Sequence, residues 1–323
     1  KLIEQPTDSL KLASTLLQPG QTIGNCFEVI EELGSGGMSI VYRVRHLLLN
    51  KDFALKLLRP DRSLNEDAFK RFKQEAKAAS GLIHPNICRV TDFGIDANLE
   101  RPYLVMDLAE GETLAQFIKE RGKLSSEEAL TISIQVAEAL SVAHKAGIVH
   151  RDLKPGNIMI QKQDKSIKAM VVDFGIAKIL EGENQEPDLT QTGEVFGTPN
   201  YMSPEQCRGQ KLDARSDIYS FGCVLYEMLS GQVPFVATNS LEILMMHVGK
   251  EPKSIKGTGV SAETEAVVLK CMEKDPQNRY LSMQDLIHDL NAAKEGSKTS
   301  ARPQNPVFKA ARAPLKSKLV AIG

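Results

Sequence analysis

His150-Arg151-Asp152-Leu153-Lys154-Pro155-Gly156-Asn157 lies between two apolar runs, Ala143 to Val149 and Ile158 to Ile160. The string joins three chemistries in one short loop. An aspartate can take the proton of an attacking hydroxyl. An asparagine five residues on can ligate a metal through its side-chain carbonyl. A lysine two residues past the aspartate can face the same phosphoryl group. A chance polar loop has no need of all three at this spacing.

Working outward, Ala169 to Val172 reads as a short strand that runs into Asp173-Phe174-Gly175. A second D-F-G, Asp92-Phe93-Gly94, lies far upstream and reads as a strand end. Only the later copy, about twenty residues past Asp152, sits where a metal-binding carboxylate is needed. Before the loop, Ser125 to Glu128 has capping-box spacing and opens a long helix that Gly147 ends. Near the N-terminus, Phe27 to Leu33 is a β-type run feeding Gly34-Ser35-Gly36-Gly37-Met38-Ser39, and Ile40 to Val44 is a second strand. Glycines let backbone N–H groups approach phosphate oxygens. A dinucleotide fold would need a helix after the turn, and a strand follows instead. Phe53-Ala54-Leu55-Lys56-Leu57-Leu58 is an apolar strand interrupted by one lysine. Ala68, Phe69, Phe72, Ala76 and Ala79 recur at helical spacing between Asn65 and Ser80. That helix carries Glu75 in its interior and Glu66 in its first turn, where an acid offsets the helix dipole.

These motifs together resemble the protein-kinase superfamily, over about residues 25 to 292 and most closely the eukaryotic-like (Hanks-type) serine/threonine kinases of bacteria. The resemblance implies an α+β, bilobal fold. A small antiparallel sheet of five strands with one helix (25–108) would sit on a larger, mostly helical lobe (109–292). It implies ATP in the cleft. Lys56, paired with Glu75, would hold the α- and β-phosphates. Asn157 and Asp173 would hold Mg²⁺, for which Mn²⁺ can substitute. Asp152 would orient a Ser or Thr hydroxyl of a protein substrate, and Lys154 would neutralise the transferring group. The glycine-rich turn from Gly34 to Met38 would cover the phosphates. Leu33, Val41, Ala54 and Met159 would sandwich adenine, Met106 would gate the pocket, and Asp107 and Ala109 belong to the connector whose backbone meets the base. His150 would be structural. Asp217, opening an apolar helix to Leu229, would cap the loop's backbone, and Arg279 would pair with Glu205 of Ser203-Pro204-Glu205.

Two departures or choices stand out. The family expects a third glycine where Ser39 stands, and the serine should stiffen or slightly lift the turn over the phosphates. Thr198 and Lys154 indicate serine/threonine specificity, and Thr190-Gln191-Thr192 resembles the paired threonines that bacterial kinases phosphorylate on themselves, for which a transient homodimer is the expected partner. A pseudokinase scaffold is the alternative, but every acid, amide and lysine position is filled. A small-molecule kinase of the same fold is disfavoured by the Thr198-Pro199 and Ser203-Pro204-Glu205 segment.

Composition agrees with a cytoplasmic domain. Over 323 residues, 42% hydrophobic and 25% charged, the formal charge is -1, which argues against nucleic acid as a partner. Five scattered cysteines, with no C-x-x-C, exclude a disulfide framework and point to a reducing compartment. No apolar run approaches the ~20 residues that span a bilayer. The first residue is Lys1, so a fragment of a longer chain is expected. Residues 1–24 read as a leader. Residues 293–323 read as a basic disordered linker that ends Leu319-Val320-Ala321-Ile322-Gly323; a membrane tether beyond it is one expectation, a free linker the other.

Overall fold

The structure, a computed structural model, describes residues 16–37, 39–59, 66–163, 166–174, 199–256 and 259–301. Met38, Gly175, Thr190, Thr192 and Thr198 lie outside the described residues, as do most of the leader and nearly all of the basic tail.

The first lobe is an antiparallel sheet of β1 (Thr22–Ile23), β2 (Phe27–Ser35), β3 (Ser39–His46), β4 (Lys51–Leu58), β5 (Val90–Asp96) and β6 (Arg101–Asp107), in the order β1-β2-β3-β4-β6-β5. Five of these match the expectation, and the short β1 adds a sixth among the described residues. Two residues are too few for any periodic signal, so β1 is held by its surroundings. Ile23 pairs with Phe27, and Gly24 N–H donates to the buried Asp96 carboxylate at 2.9 Å. The end of the leader is therefore stitched to the sheet. Asp92-Phe93-Gly94 lies inside β5, at a register shift, rather than at a strand end.

The central strand β4 is buried on both faces, which is why it is an almost unbroken apolar run. Alternation sends Phe53, Leu55 and Leu57 to one core with Phe27, Val29 and Tyr42. It sends Ala54 and Leu58 to the other, where they meet Phe72 and Ala76 of α1 (Glu66–Ser80). Lys56 shares the parity of Ala54 and so faces the side of α1 and the cleft. Burying Phe72 alone contributes roughly 1.5–3 kcal/mol.

The second lobe begins with β7 (Glu112–Thr113), α2 (Leu114–Arg121) and α3 (Ser126–Lys145), then the hairpin β8 (Ile158–Gln163) and β9 (Ser166–Val171). The predicted Ser125–Glu128 capping box is present. The short α4 (Pro204–Cys207) is followed by α5 (Ala214–Ser230), α6 (Ser240–Gly249), α7 (Ala262–Cys271) and α8 (Met283–Lys294). Asp213 caps α5, and Gly231 ends it in the left-handed region at φ 77°. α5 is the axis of this lobe, buried nearly all round. Gly222 lets it approach α7 closely, since a Cβ there would lie 2.7 Å from that of Cys271.

After α8 the chain stays packed through Ala301. The buried Asp289 carboxylate accepts Tyr280 Oη at 2.8 Å, Ser300 N–H at 2.8 Å, Ser300 Oγ at 2.6 Å and Ala301 N–H at 3.1 Å. The packed chain thus runs past residue 292, where the composition turns basic. All five cysteines are free thiols.

Candidate active site

The loop of residues 148–154 leaves α3 through Gly147, at φ 77°, and has little regular structure of its own. It is held from below by Asp217 of α5, which is 1% exposed. Its carboxylate accepts His150 N–H at 2.8 Å and Arg151 N–H at 3.0 Å, and lies 2.7 Å from His144 Nε2. Burial alone would raise its pKa; the hydrogen bond and charge of His144, with the His150 contacts, outweigh burial and hold it below the ordinary carboxylate range. Arg151 sits at φ 63°, a left-handed conformation that costs a non-glycine roughly 1–2 kcal/mol. These bonds hold it there. His150 is fully buried as a strut, as its place in the core implies. Its Nδ1 accepts Asp152 N–H at 3.3 Å, its Nε2 lies 3.3 Å from the Val172 carbonyl, and its ring packs on Phe174. Burial lowers its pKa and keeps it neutral.

On this frame Asp152 presents its carboxylate to Lys154 Nζ at 2.8 Å and Asn157 Nδ2 at 3.1 Å. Asn157 also donates to the Asp152 carbonyl at 2.8 Å, and its own carbonyl accepts Val172 N–H at 2.9 Å. That last bond sets Asn157 beside Asp173, which lies at φ 60°. The residues proposed from the sequence on this side of the cleft are therefore brought together.

The upper side differs from expectation. Lys56 pairs with Asp173, and Glu75 faces Arg151, with Nη2 and Oε1 3.8 Å apart. No Lys56–Glu75 ion pair forms among the described residues. Glu75 and Asp173 are both carboxylates, so sequence spacing does not choose between them as the partner of Lys56.

The glycine-rich turn from Gly34 to Gly37 is exposed, and a Cβ on Gly34 would meet nothing within 4 Å. Gly36 N–H closes the turn on the Ser39 carbonyl at 2.9 Å. Arg59 clamps the turn, donating to the Gly36 carbonyl at 3.0 Å and Ser35 Oγ at 2.7 Å. Below it, Ala54 faces Met106 across β4 and β6, and both pack in the core that includes Val41. Leu33 is 48% exposed at the rim. A cavity of about 160 Å³ under the connector is lined by Leu108, Ala109, Glu110, Met159, Lys168 and Met170 among others. Asp107 is held at the connector by Lys51, 3.1 Å away, and its carbonyl accepts the Cys88 thiol.

Glu205, as expected, is bidentate with Arg279, at 2.7 and 2.9 Å, and also accepts Ser216 Oγ. Burial works to raise its pKa, and the Arg279 bonds hold it below the usual range. Sequence reasoning missed Arg59, Lys168 and Gln206. The period-2 pattern of the β8–β9 hairpin could have pointed to Lys168 and Met170 as cavity-facing partners of Met159. Nothing local singles out the other two.

The profile of the family described as "Protein kinase domain" matches residues 27–290. This chain belongs to that family. The kinase domain is 41% identical over 285 residues to the serine/threonine-protein kinase PknB of Mycolicibacterium smegmatis, covering 87% of this chain and 45% of that protein. It is 40% identical over 279 residues to a probable serine/threonine-protein kinase of Clostridium perfringens, covering 85% of this chain and 39% of that one. The chain thus spans less than half the length of these relatives. Among solved structures, the kinase domain of Mycobacterium tuberculosis PknI is similar with a TM-score of 0.68 at 26% identity, over 86% of this chain and 100% of that one. Rad53 1–466, solved in complex with AMP-PNP, is similar with a TM-score of 0.68 at 27% identity, over 82% and 65%. The bilobal protein-kinase fold read from the motifs is the fold observed. No helix among the described residues is long and apolar enough to cross a membrane.

Proposed function

We propose that the chain is the catalytic domain of a serine/threonine protein kinase that moves the ATP γ-phosphate to Ser or Thr hydroxyls of proteins. The observation that carries this reading is Asp152, held by Lys154 and Asn157 at the cleft and linked through Asn157 and Val172 to Asp173. Phosphoryl transfer passes through a loose, anionic transition state, so catalysis is mainly positioning and charge stabilisation. Asp152 orients the acceptor hydroxyl and takes its proton. Lys154, within reach of the same carboxylate, neutralises charge on the transferring group. Lys56 holds the α- and β-phosphates, and Glu75 orients Lys56 once it turns from Arg151. The backbone from Gly34 to Met38 covers the phosphates. Leu33, Val41, Ala54 and Met159 enclose the base, Met106 backs the pocket, and the backbone of Asp107 and Ala109 meets the base edge.

Asn157 and Asp173 supply one amide and one carboxylate oxygen donor on adjacent chain segments, a set that suits Mg²⁺, or Mn²⁺, which keeps waters and phosphate oxygens in its shell. An ion held by Asn157 and Asp173 would supply neutralisation of phosphate charge. The test is radiolabelled ATP with a generic basic protein. Asp152→Asn is expected to lower transfer at least ~100-fold with nucleotide affinity unchanged. If Asp152→Asn kept over about a tenth of the rate, the base assignment would fail; wild-type nucleotide binding without transfer would favour a pseudokinase scaffold.

Activation belongs to the same reading. A phosphate on Thr190 or Thr192 would draw Arg151 from Glu75 through bidentate contacts and free Glu75 for Lys56. Transient pairing of two copies would supply that phosphate, and a tether beyond residue 323 would raise their local concentration in the cytoplasm. Mass spectrometry after incubation with Mg²⁺ and ATP should find phosphate on one of these threonines. The Thr190→Ala/Thr192→Ala double variant should turn over more slowly.

A further inference from the structure

Three helices of the second lobe open with a capping box, at Thr113/Gln116, Ser125/Glu128 and Ser203/Gln206. In each, the third helical side chain returns an oxygen to the backbone N–H of the cap residue. For that purpose glutamate serves as well as glutamine, and better at a helix N-terminus. The box at α4 differs in using both ends of the amide. Gln206 Oε1 accepts Ser203 N–H at 2.9 Å, while Nε2 donates to the Arg151 carbonyl at 2.8 Å. Gln206 also borders, with Arg151, Asp152 and Lys154, the small cleft beside the catalytic loop.

The Arg151 carbonyl belongs to the same peptide unit as the Asp152 N–H. That N–H is fixed on His150 Nδ1, so the unit is pinned on both edges, by His150 below and by Gln206 from α4. It follows the left-handed Arg151, a conformation that persists only where neighbours impose it. Rotation of this one peptide would swing the Asp152 side chain away from an acceptor hydroxyl. We propose that Gln206 is a positioning residue for Asp152, and that its single amide makes alignment of the base depend on docking of the Ser203-Pro204-Glu205 segment. The inference rests on the assignment of Asp152 as the base. When the segment is seated on Arg279 and Ser216, Ser203 holds the amide oxygen and the amide nitrogen is aimed at Arg151. When the segment leaves, the peptide before Asp152 loses its upper restraint.

Gln206→Glu separates this role from simple helix capping. The carboxylate still accepts the Ser203 N–H, but it sets an acceptor against the Arg151 carbonyl, with no proton to give at neutral pH. Gln206→Glu is expected to keep the melting temperature of the wild type and its ATP KM within about two-fold, while kcat falls about 10-fold, less than the ~100-fold that a full 1 Å misplacement can cost. In an Asp152→Asn background the same change should alter the residual rate less than about two-fold, because the positioned group is gone. Amide hydrogen exchange gives a readout independent of turnover: protection at Asp152 should drop about 10-fold in Gln206→Glu, with the amides of α4 unchanged. A wild-type kcat in Gln206→Glu, an equal loss in both backgrounds, or unchanged protection at Asp152 would each overturn the proposal. Activity surviving in Asp152→Asn alone would instead overturn the base assignment, a distinguishable failure.

Discussion

The two sides of the cleft are built to different tolerances. Beneath it, Asp152 rests on a ladder of buried, singly determined bonds: Asp217 to the backbone of His150 and Arg151, His150 to Asp152 and Val172, Glu205 to Arg279. Above it, Lys56 is paired with Asp173 and Glu75 faces Arg151, in place of the expected Lys56–Glu75 pair, and the glycine-rich turn is exposed apart from the Arg59 clamp. A buried charge deprived of its partner is costly, so the lower arrangement has no cheap alternative. The carboxylates above it, Asp173 and Glu75, keep side-chain exposures of 28% and 31%, and partly solvated carboxylates change partners at less cost. The difference teaches that acceptor-side geometry is a property of the fold, whereas nucleotide-side geometry is a choice among side chains.

Breaking the lower side should therefore cost fold and activity together. Arg279→Leu leaves Glu205 buried without its fork and is expected to remove about 3–5 kcal/mol of stability. Arg279→Lys should recover little of this, since an ammonium cannot make both bonds. Denaturant unfolding checks both. If Arg279→Leu unfolded at the wild-type midpoint, the lower side would be no more tightly specified than the upper.

Acid should soften the same side first. His247 of α6 is buried against Phe235 and Tyr219, whose hydroxyl it meets at 3.0 Å. Burial, then the charge of Lys274, push its pKa down to about 3. The unfolded chain takes up this proton near pH 6.5 and the folded chain does not. Stability is thus lost progressively as pH falls below about 6.5, and His150, also depressed, adds with the same sign. Relative to the wild type, His247→Phe should flatten the fall between pH 6.5 and 5 by ~1–2 kcal/mol in denaturant titrations. Parallel curves would show that His247 is not the group responsible.

On the upper side the expected effects fall on rate alone. Glu75→Gln should lower kcat about 10-fold while leaving thermal stability nearly unchanged, because the Arg151–Glu75 contact is 3.8 Å long and its side chains keep 24% and 31% exposure, so little is lost when it goes. A large drop in melting temperature would erase the contrast between the two sides. The smallest effect is expected at Ser39→Gly. Ser39 is buried at the start of β3 and pairs with Leu58, and its carbonyl, not its side chain, closes the turn. ATP KM should change only a few-fold, on the order of 1 kcal/mol or less. A larger change, in steady-state kinetics, would give the hydroxyl a role of its own.

What could be read in the sequence follows the same division. The eight-residue loop, the placement of Asp173 beside Asn157, the Ser125 capping box and the Glu205–Arg279 pair were legible because each has one physical solution once its neighbours are buried. The partner of Lys56 was not, because Glu75 and Asp173 are both carboxylates and the choice between them lies in tertiary placement. Arg59 and Gln206 act on backbone carbonyls, and a carbonyl leaves no mark in a sequence. β1 escaped for a simpler reason, being shorter than one period of any pattern.

The carboxylate of Asp289 bears on where this molecule may be cut. The family match stops at residue 290, yet the N–H and hydroxyl groups that complete Asp289 come from Ser300 and Ala301. A fragment trimmed to the homologous region would keep the acid and Tyr280 but discard three of the four donors that satisfy it, and it would pull Ala301 out of the core. The packed unit is longer than the family-profile match, and recombinant boundaries drawn from that match alone would sever it.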